Sequence, residues 1–361
     1  MAYHTTPYLL LFLPAALLFY QITPAKWRSY TLLIFSYLFF WSFSEKLIIY
    51  LIVTTFLTHH ICIWMDTMDK RDKRKKRVLQ LGIFLLLGTI LCLKYRNFFF
   101  GNVSKLAMVL HIDWSYRDQL IFLPIGISFY TLSAIGYMAD VYWGKVKAEY
   151  SLVKTALFLG FFPVIVEGPI CRWEDVEDTL FKNESVKAEN VFTGSYRIIW
   201  GLFKKMIIAD RLAVLVDKVY VGYESYSGAV IVAAAISYTI QLYMEFSGCM
   251  DMVIGSARLF GIRLPENFSQ PFFAKTCTDF WKRWHITLGV WFKNYIFYPV
   301  SISKTARKWN KFTRKHFKGD FGKYMARMGI AAMALSRYGS VMVCGTVRNG
   351  ITFFTDYITL D

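Results

Sequence analysis

Residues 278–300 read TDFWKRWHITLGVWFKNYIFYPV, and within them Asp279, Lys282, Arg283 and His285 fall inside seven positions of a stretch otherwise dense in Trp, Phe and Tyr. If helical, Asp279 and Arg283 form an i,i+4 pair on one face, with Trp281, Trp284 and His285 around them. A titratable ring at membrane depth costs free energy, so a histidine kept there reads as functional. Imidazole suits a general base near neutral pH that takes a proton from an attacking hydroxyl.

The remaining histidines carry less. His59 and His60 are adjacent in an apolar helix with no carboxylate or cysteine at ligand spacing, so they read as hydrogen-bonded packing residues and no metal site is expected. His4, His111 and His316 lie at the amino-terminal end or in polar loops. The six cysteines are scattered without a CxxC pair, which argues against zinc, redox or disulfide frameworks. With no GxSxG, HExxH or P-loop, serine-triad, zinc-hydrolase and nucleotide-driven chemistry have no support.

What must position the histidine is a membrane bundle. The 361 residues are 55% hydrophobic and 18% aromatic, with mean hydropathy +0.36. Ser29–Ser44, Leu47–Met65, Val78–Leu93, Gln119–Met138 and Ser227–Met244 carry no Lys, Arg, Asp or Glu. The first apolar run, Pro7–Tyr20, lacks a basic flank and a small-residue cleavage site and reads as a retained helix. The expected fold class is all-α, a polytopic integral membrane protein, with residues 1–335 as one domain.

The formal charge of +17 sits in loops between apolar spans, which favours a cytoplasmic face near anionic lipids over nucleic acid. The Asp66–Arg77 loop has seven basic residues. Counting back two helices from it puts the amino terminus outside a bacterial-type inner membrane. The basic Ser303–Gly319 stretch is cytoplasmic by the same sign.

Three segments are irregular. Pro124 and Gly126 predict a broken entry to the span that follows, and Gly101–Gln119 is a polar interruption, partly an interfacial helix. Phe158–Val176, ending in Glu167-Gly168-Pro169 and Arg172, is too short and interrupted for a comfortable span and reads as re-entrant. Ser195–Tyr220 places Lys204, Lys205, Asp210 and Arg211 in a helical apolar pattern, where charges must face a wet cavity, an interface or one another.

Taken together, LPIGISFYTLSAIGYMADVYWG, FFPVIVEGPICRW, QLYMEFSGCMDMVIG, LFGIRLPENFSQPF and TDFWKRWHITLGVWFKNYIFYPV resemble the membrane-bound O-acyltransferase superfamily. The branch is that of the alginate O-acetyltransferase membrane subunit and the D-alanyl transfer protein of teichoic acid modification, and the resemblance covers about residues 7–335. It implies a ring of about 8 to 11 transmembrane or re-entrant helices around a tunnel. There an acyl thioester (acetyl-CoA or acyl carrier protein) from the cytoplasm would meet an outer polysaccharide or teichoic acid hydroxyl. No bound cofactor is implied. His285 matches the family's RWH histidine; Asn267, Asp279, Trp281, Arg283 and Trp284 match its polar and aromatic lining, and Glu167 and Arg172 fall in its FFPVIVEGPICRW segment. A lipase-like extracytoplasmic partner is common around such proteins.

The family's second histidine, in a GLWHG-like motif, is absent; the resemblance makes it the essential base that deprotonates the hydroxyl while His285 helps position donor or acceptor, so little transferase activity is expected of the chain as written, and Ser336–Asp361 fits neither a membrane helix nor the family. Met342 must be ATG and Val343 must begin GT, so the displaced frame reads GGT, a forced glycine, and the following codons permit Leu-Trp-His-Gly. The tail is therefore expected to be a frameshift product. The competing expectation is a catalytically inactive homologue or a non-enzymatic component of polysaccharide export.

Overall fold

A computed structural model of the protein describes residues 2–69, 72–110, 112, 114, 124–317 and 319–334. Among these residues the regular structure is helical, and the one extended pairing is a bridge between Phe268 and Trp284. The all-α expectation holds. His111 and the 336–361 tail lie outside the described residues. The chain falls into two compact units, Met1–Thr287 and Leu288–Asp361.

The first unit opens with α1 (Pro7–Ile22), α2 (Arg28–Ser44), α3 (Ile48–Asp66), α4 (Lys73–Lys94) and α5 (Arg96–Val109). Then come α6 (Ile127–Trp143), α7 (Leu152–Gly160), α8 (Trp173–Leu180), α9 (Ala188–Leu202), α10 (Asp210–Val221), α11 (Gly228–Leu259) and α12 (Cys277–Arg283). Among the described residues Ala25–Asp66, Lys73–Lys94 and Gly228–Leu259 are long and apolar enough to cross a membrane. Leu11, Ile22, Phe84 and Val221 stand exposed, as side chains facing lipid do. This is a membrane protein.

Helix α6 begins only at Ile127, because Gly126 takes φ +77° and a Cβ there would run into the Ile165 carbonyl. Ile165 belongs to the non-helical stretch between α7 and α8, the segment expected to be re-entrant. Such backbone survives at depth only if its polar groups are satisfied within the protein. Three of its amides find such partners: the Phe162 amide donates to Ser36 Oγ at 3.1 Å, the Gly168 amide to the Val164 carbonyl at 2.9 Å, and the Ile170 amide to Thr287 Oγ1 at 3.1 Å. Tyr3, Tyr8, Phe39 and Phe162 pack ring against ring beside it.

Helices α9 and α11 meet through glycines two turns apart. A Cβ on Gly194 would come 2.8 Å from the Gly255 carbonyl oxygen, and one on Gly248 equally close to the Gly201 carbonyl. This close approach lets charged side chains pair across the contact. Arg197 Nε donates to Asp251 at 3.0 Å and Lys204 to the other oxygen of Asp251 at 2.6 Å. Beyond a π-helical turn at Phe203–Ala209, Lys205 bridges Glu245 and Asp210. Of the settings expected for charges here, a wet cavity, an interface or one another, Lys204 takes the interface with α11 and Lys205 pairs with both Asp210 and α11, and this explains how α11 runs on past the apolar window through Glu245 and Asp251.

In the second unit, Tyr298–Ser301 (α14) leads to the basic α15 (Lys304–His316) and then to α16 (Gly319–Ala334). Ser303 caps α15 by accepting from the Ala306 amide, and Trp309 Nε1 donates to the Met325 carbonyl at 3.2 Å. Helix α13 (Ile286–Phe292) starts at the boundary between the units.

Candidate active site around His285

Two short segments build the site. Thr276 caps α12 by accepting from the Asp279 amide at 3.1 Å, and the helix ends at Arg283, where Trp284 turns extended. The chain then runs antiparallel to 267–269: the Ser269 amide donates to the Arg283 carbonyl at 3.0 Å and the Ile286 amide to the Asn267 carbonyl at 2.9 Å. Between these bonds His285 takes φ +48°, a left-handed conformation uncommon outside glycine. Such strain persists where surroundings impose it, often at functional sites.

The imposing residue is Asn267, only 1% exposed. Its Oδ1 lies 3.0 Å from His285 Nδ1, 3.2 Å from the Thr287 amide and 3.0 Å from Thr287 Oγ1, while its Nδ2 faces Met250 Sδ at 3.2 Å. The His285 ring meets Phe246 edge to face at 5.0 Å. Trp284 packs among Tyr243, Phe268 and Phe280. A half-buried imidazole with one nitrogen engaged and an aromatic wall can hold or move one proton at its other nitrogen.

The other expected site residues divide. Asp279 and Arg283 form the i,i+4 pair at 3.1 Å, and that hydrogen bond from Arg283 holds the Asp279 carboxyl below the usual range. Trp281 is 64% exposed and its ring meets Phe280. Arg172 pairs with Glu174 and Asp175 at the start of α8. Glu167 interacts with Cys249 and Lys205, a separate set. His59 and His60 bond to Thr155 Oγ1 and to the Phe56 carbonyl, as expected for packing histidines.

Sequence reasoning missed Thr287 and Arg197. The Arg197 guanidinium grips Glu266 with two bonds of 2.6 and 2.5 Å while also reaching Asp251, so the residue before Asn267 is anchored to α9 and α11. The available signal was an arginine in an apolar helix, which needs a partner; the identity of that partner, 69 residues away, was not legible.

Residues 145–314 match the model of the membrane-bound O-acyltransferase family. The chain carries a membrane-bound O-acyltransferase domain. Every expected site residue from Glu167 to His285 lies inside it. Over 298 residues the chain is 34% identical to the probable alginate O-acetylase AlgI of Pseudomonas aeruginosa, covering 82% of this chain and 56% of the relative. It is 29% identical to the peptidoglycan O-acetyltransferase of Helicobacter pylori, covering 82% of this chain and 61% of that protein. To the teichoic acid D-alanyltransferase of Bacillus subtilis it is 30% identical, covering 52% and 48%. The chain thus spans roughly half to three fifths of the relatives it matches.

Proposed function

We propose that the protein is a membrane O-acyltransferase that moves an acetyl or D-alanyl group from a cytoplasmic thioester to a hydroxyl of an extracytoplasmic polysaccharide or teichoic acid. The observation that carries this reading is His285, clamped by Asn267 within the family-matched domain. A neutral hydroxyl is a poor nucleophile, so a positioned base and an activated donor are both required. The amino terminus lies outside the inner membrane and the Asp66–Arg77 loop inside, from its basic charge. Reporter fusions at Asp69 test that orientation.

The basic helix α15 supplies a docking face for an acidic carrier protein bearing the acyl group. The Ser336–Asp361 stretch is read as the product of a displaced frame, and sequencing genomic DNA across codons 330–361 and beyond tests it.

The deciding assay places the gene carrying this chain in a bacterium deleted for its own surface-polysaccharide acetylase. Ester-linked acetate and D-alanine are then released by mild alkali and counted. The frame-corrected gene restores one of them and the gene as written little, and His285→Ala in the corrected frame lowers it by about 10²–10⁴-fold, the span of general base catalysis. Restoration undiminished by His285→Ala would remove His285 from the chemistry. No restoration by a frame-corrected gene would leave the inactive or export-component reading.

A further inference from the structure

Asn267 settles which nitrogen of His285 carries hydrogen. The backbone amide of Thr287 can only donate, so the Asn267 atom facing it at 3.2 Å is oxygen. That oxygen also faces His285 Nδ1 at 3.0 Å, so Nδ1 bears a proton and donates. The rest of the contact agrees. The Asn267 NH₂ points at Met250 sulfur, a weak acceptor, and the Thr287 hydroxyl accepts from the Ile170 amide at 3.1 Å while donating to the same Oδ1.

With Nδ1 protonated, Nε2 of the neutral ring presents a bare lone pair. No hydrogen-bond partner occupies it among the described residues. A bare lone pair recognises a hydrogen donor. An alcohol brings one.

We infer that Asn267 is the positioning residue that sets the tautomer of His285, leaving Nε2 to accept the hydrogen of the acyl acceptor's hydroxyl. The ligand's identity rests on the transferase reading; the tautomer does not.

The test is nitrogen-15 spectroscopy of histidine-labelled protein in lipid nanodiscs, above the titration range of histidine. The His285 signals are assigned by their loss in His285→Gln. The wild type gives an Nδ1–H, Nε2-bare pair. Free imidazole favours the opposite form, so Asn267→Leu shifts His285 from predominantly Nδ1–H to predominantly Nε2–H, while Asn267→Asp, which keeps an acceptor, retains Nδ1–H. An Nε2–H signal in the wild type, or an unchanged tautomer in Asn267→Leu, overturns the inference. Should Asn267→Leu fail to fold, the wild-type spectrum alone decides. An Nδ1–H tautomer in a protein that transfers no acyl group would sink the proposed function and leave the tautomer standing.

Discussion

Asn267 holds three consecutive residues at once: its side-chain oxygen faces His285 Nδ1 and the Thr287 amide and hydroxyl, and its backbone carbonyl accepts from the Ile286 amide. The left-handed turn at His285 is therefore imposed from across the contact. Its partners are 18 to 20 positions away in sequence.

Thr287 is buried and joins this clamp to the Ile170 amide. Thr287→Val keeps the shape and deletes both hydroxyl bonds, leaving that amide without a partner. We expect a loss of about 1–3 kcal/mol, with Thr287→Ser close to wild type, read from thermal unfolding in detergent. Equal stability of the valine and serine variants would show that the hydroxyl relay contributes nothing.

Arg197 carries the fork on Glu266 and one bond to Asp251. Arg197→Leu leaves Asp251 with Lys204 alone and should cost about 2–4 kcal/mol. Arg197→Lys keeps a charge but cannot make the fork, so it should fall between the two. The unfolding midpoints rank the three.

The α9–α11 contact predicts a contrast among glycines. Gly201→Leu drives a side chain into the Gly248 backbone, an overpacking cost of about 1–3 kcal/mol or more. Gly88 in α4 meets nothing within 4 Å of a built Cβ, so Gly88→Ala should be neutral or stabilising by up to about 1 kcal/mol. Calorimetry on both variants checks the sign.

Acid should weaken the Asp279–Arg283 pair. The folded carboxyl is held below its usual value, so its stabilisation is fully present above the unfolded carboxyl pKa of about 4 and is lost as pH falls through the lower folded value. Glu184 behaves alike: Lys182 and Lys187 hold it down to about 2. Asp279→Asn should flatten the acid limb of the stability curve, and an unaltered limb would show that the pair contributes nothing in solution.

If α15 docks an acidic carrier, binding to immobilised acyl carrier protein must be salt-sensitive. The double change Lys308→Glu and Lys311→Glu should abolish retention at low salt, whereas the same change on Lys73 and Lys76 should not. Retention indifferent to both salt and charge reversal would dismiss the docking face.

Much of this architecture was legible because membrane spans declare themselves by long uncharged windows: α2, α3, α4 and α11 fall on four of them. Local rules also carried the Asp279–Arg283 pair and the late start of α6 after Pro124 and Gly126. Where the reading stopped, contacts were distant. Nothing near Asn267 announces that it faces His285, because the two segments meet only after α12 intervenes. The π-helical turn at Phe203–Ala209 likewise has no periodicity of its own to betray it.

The positive φ of His285 alters how any substitution there must be interpreted. Alanine removes the imidazole but still bears the left-handed penalty, about 1–2 kcal/mol for an ordinary L-residue. Asparagine tolerates that backbone better, and glycine adopts it freely. His285→Gly that melts above the wild type would reveal that the ring is held at the expense of stability, and His285→Asn then becomes the proper reference for measuring what the imidazole itself contributes.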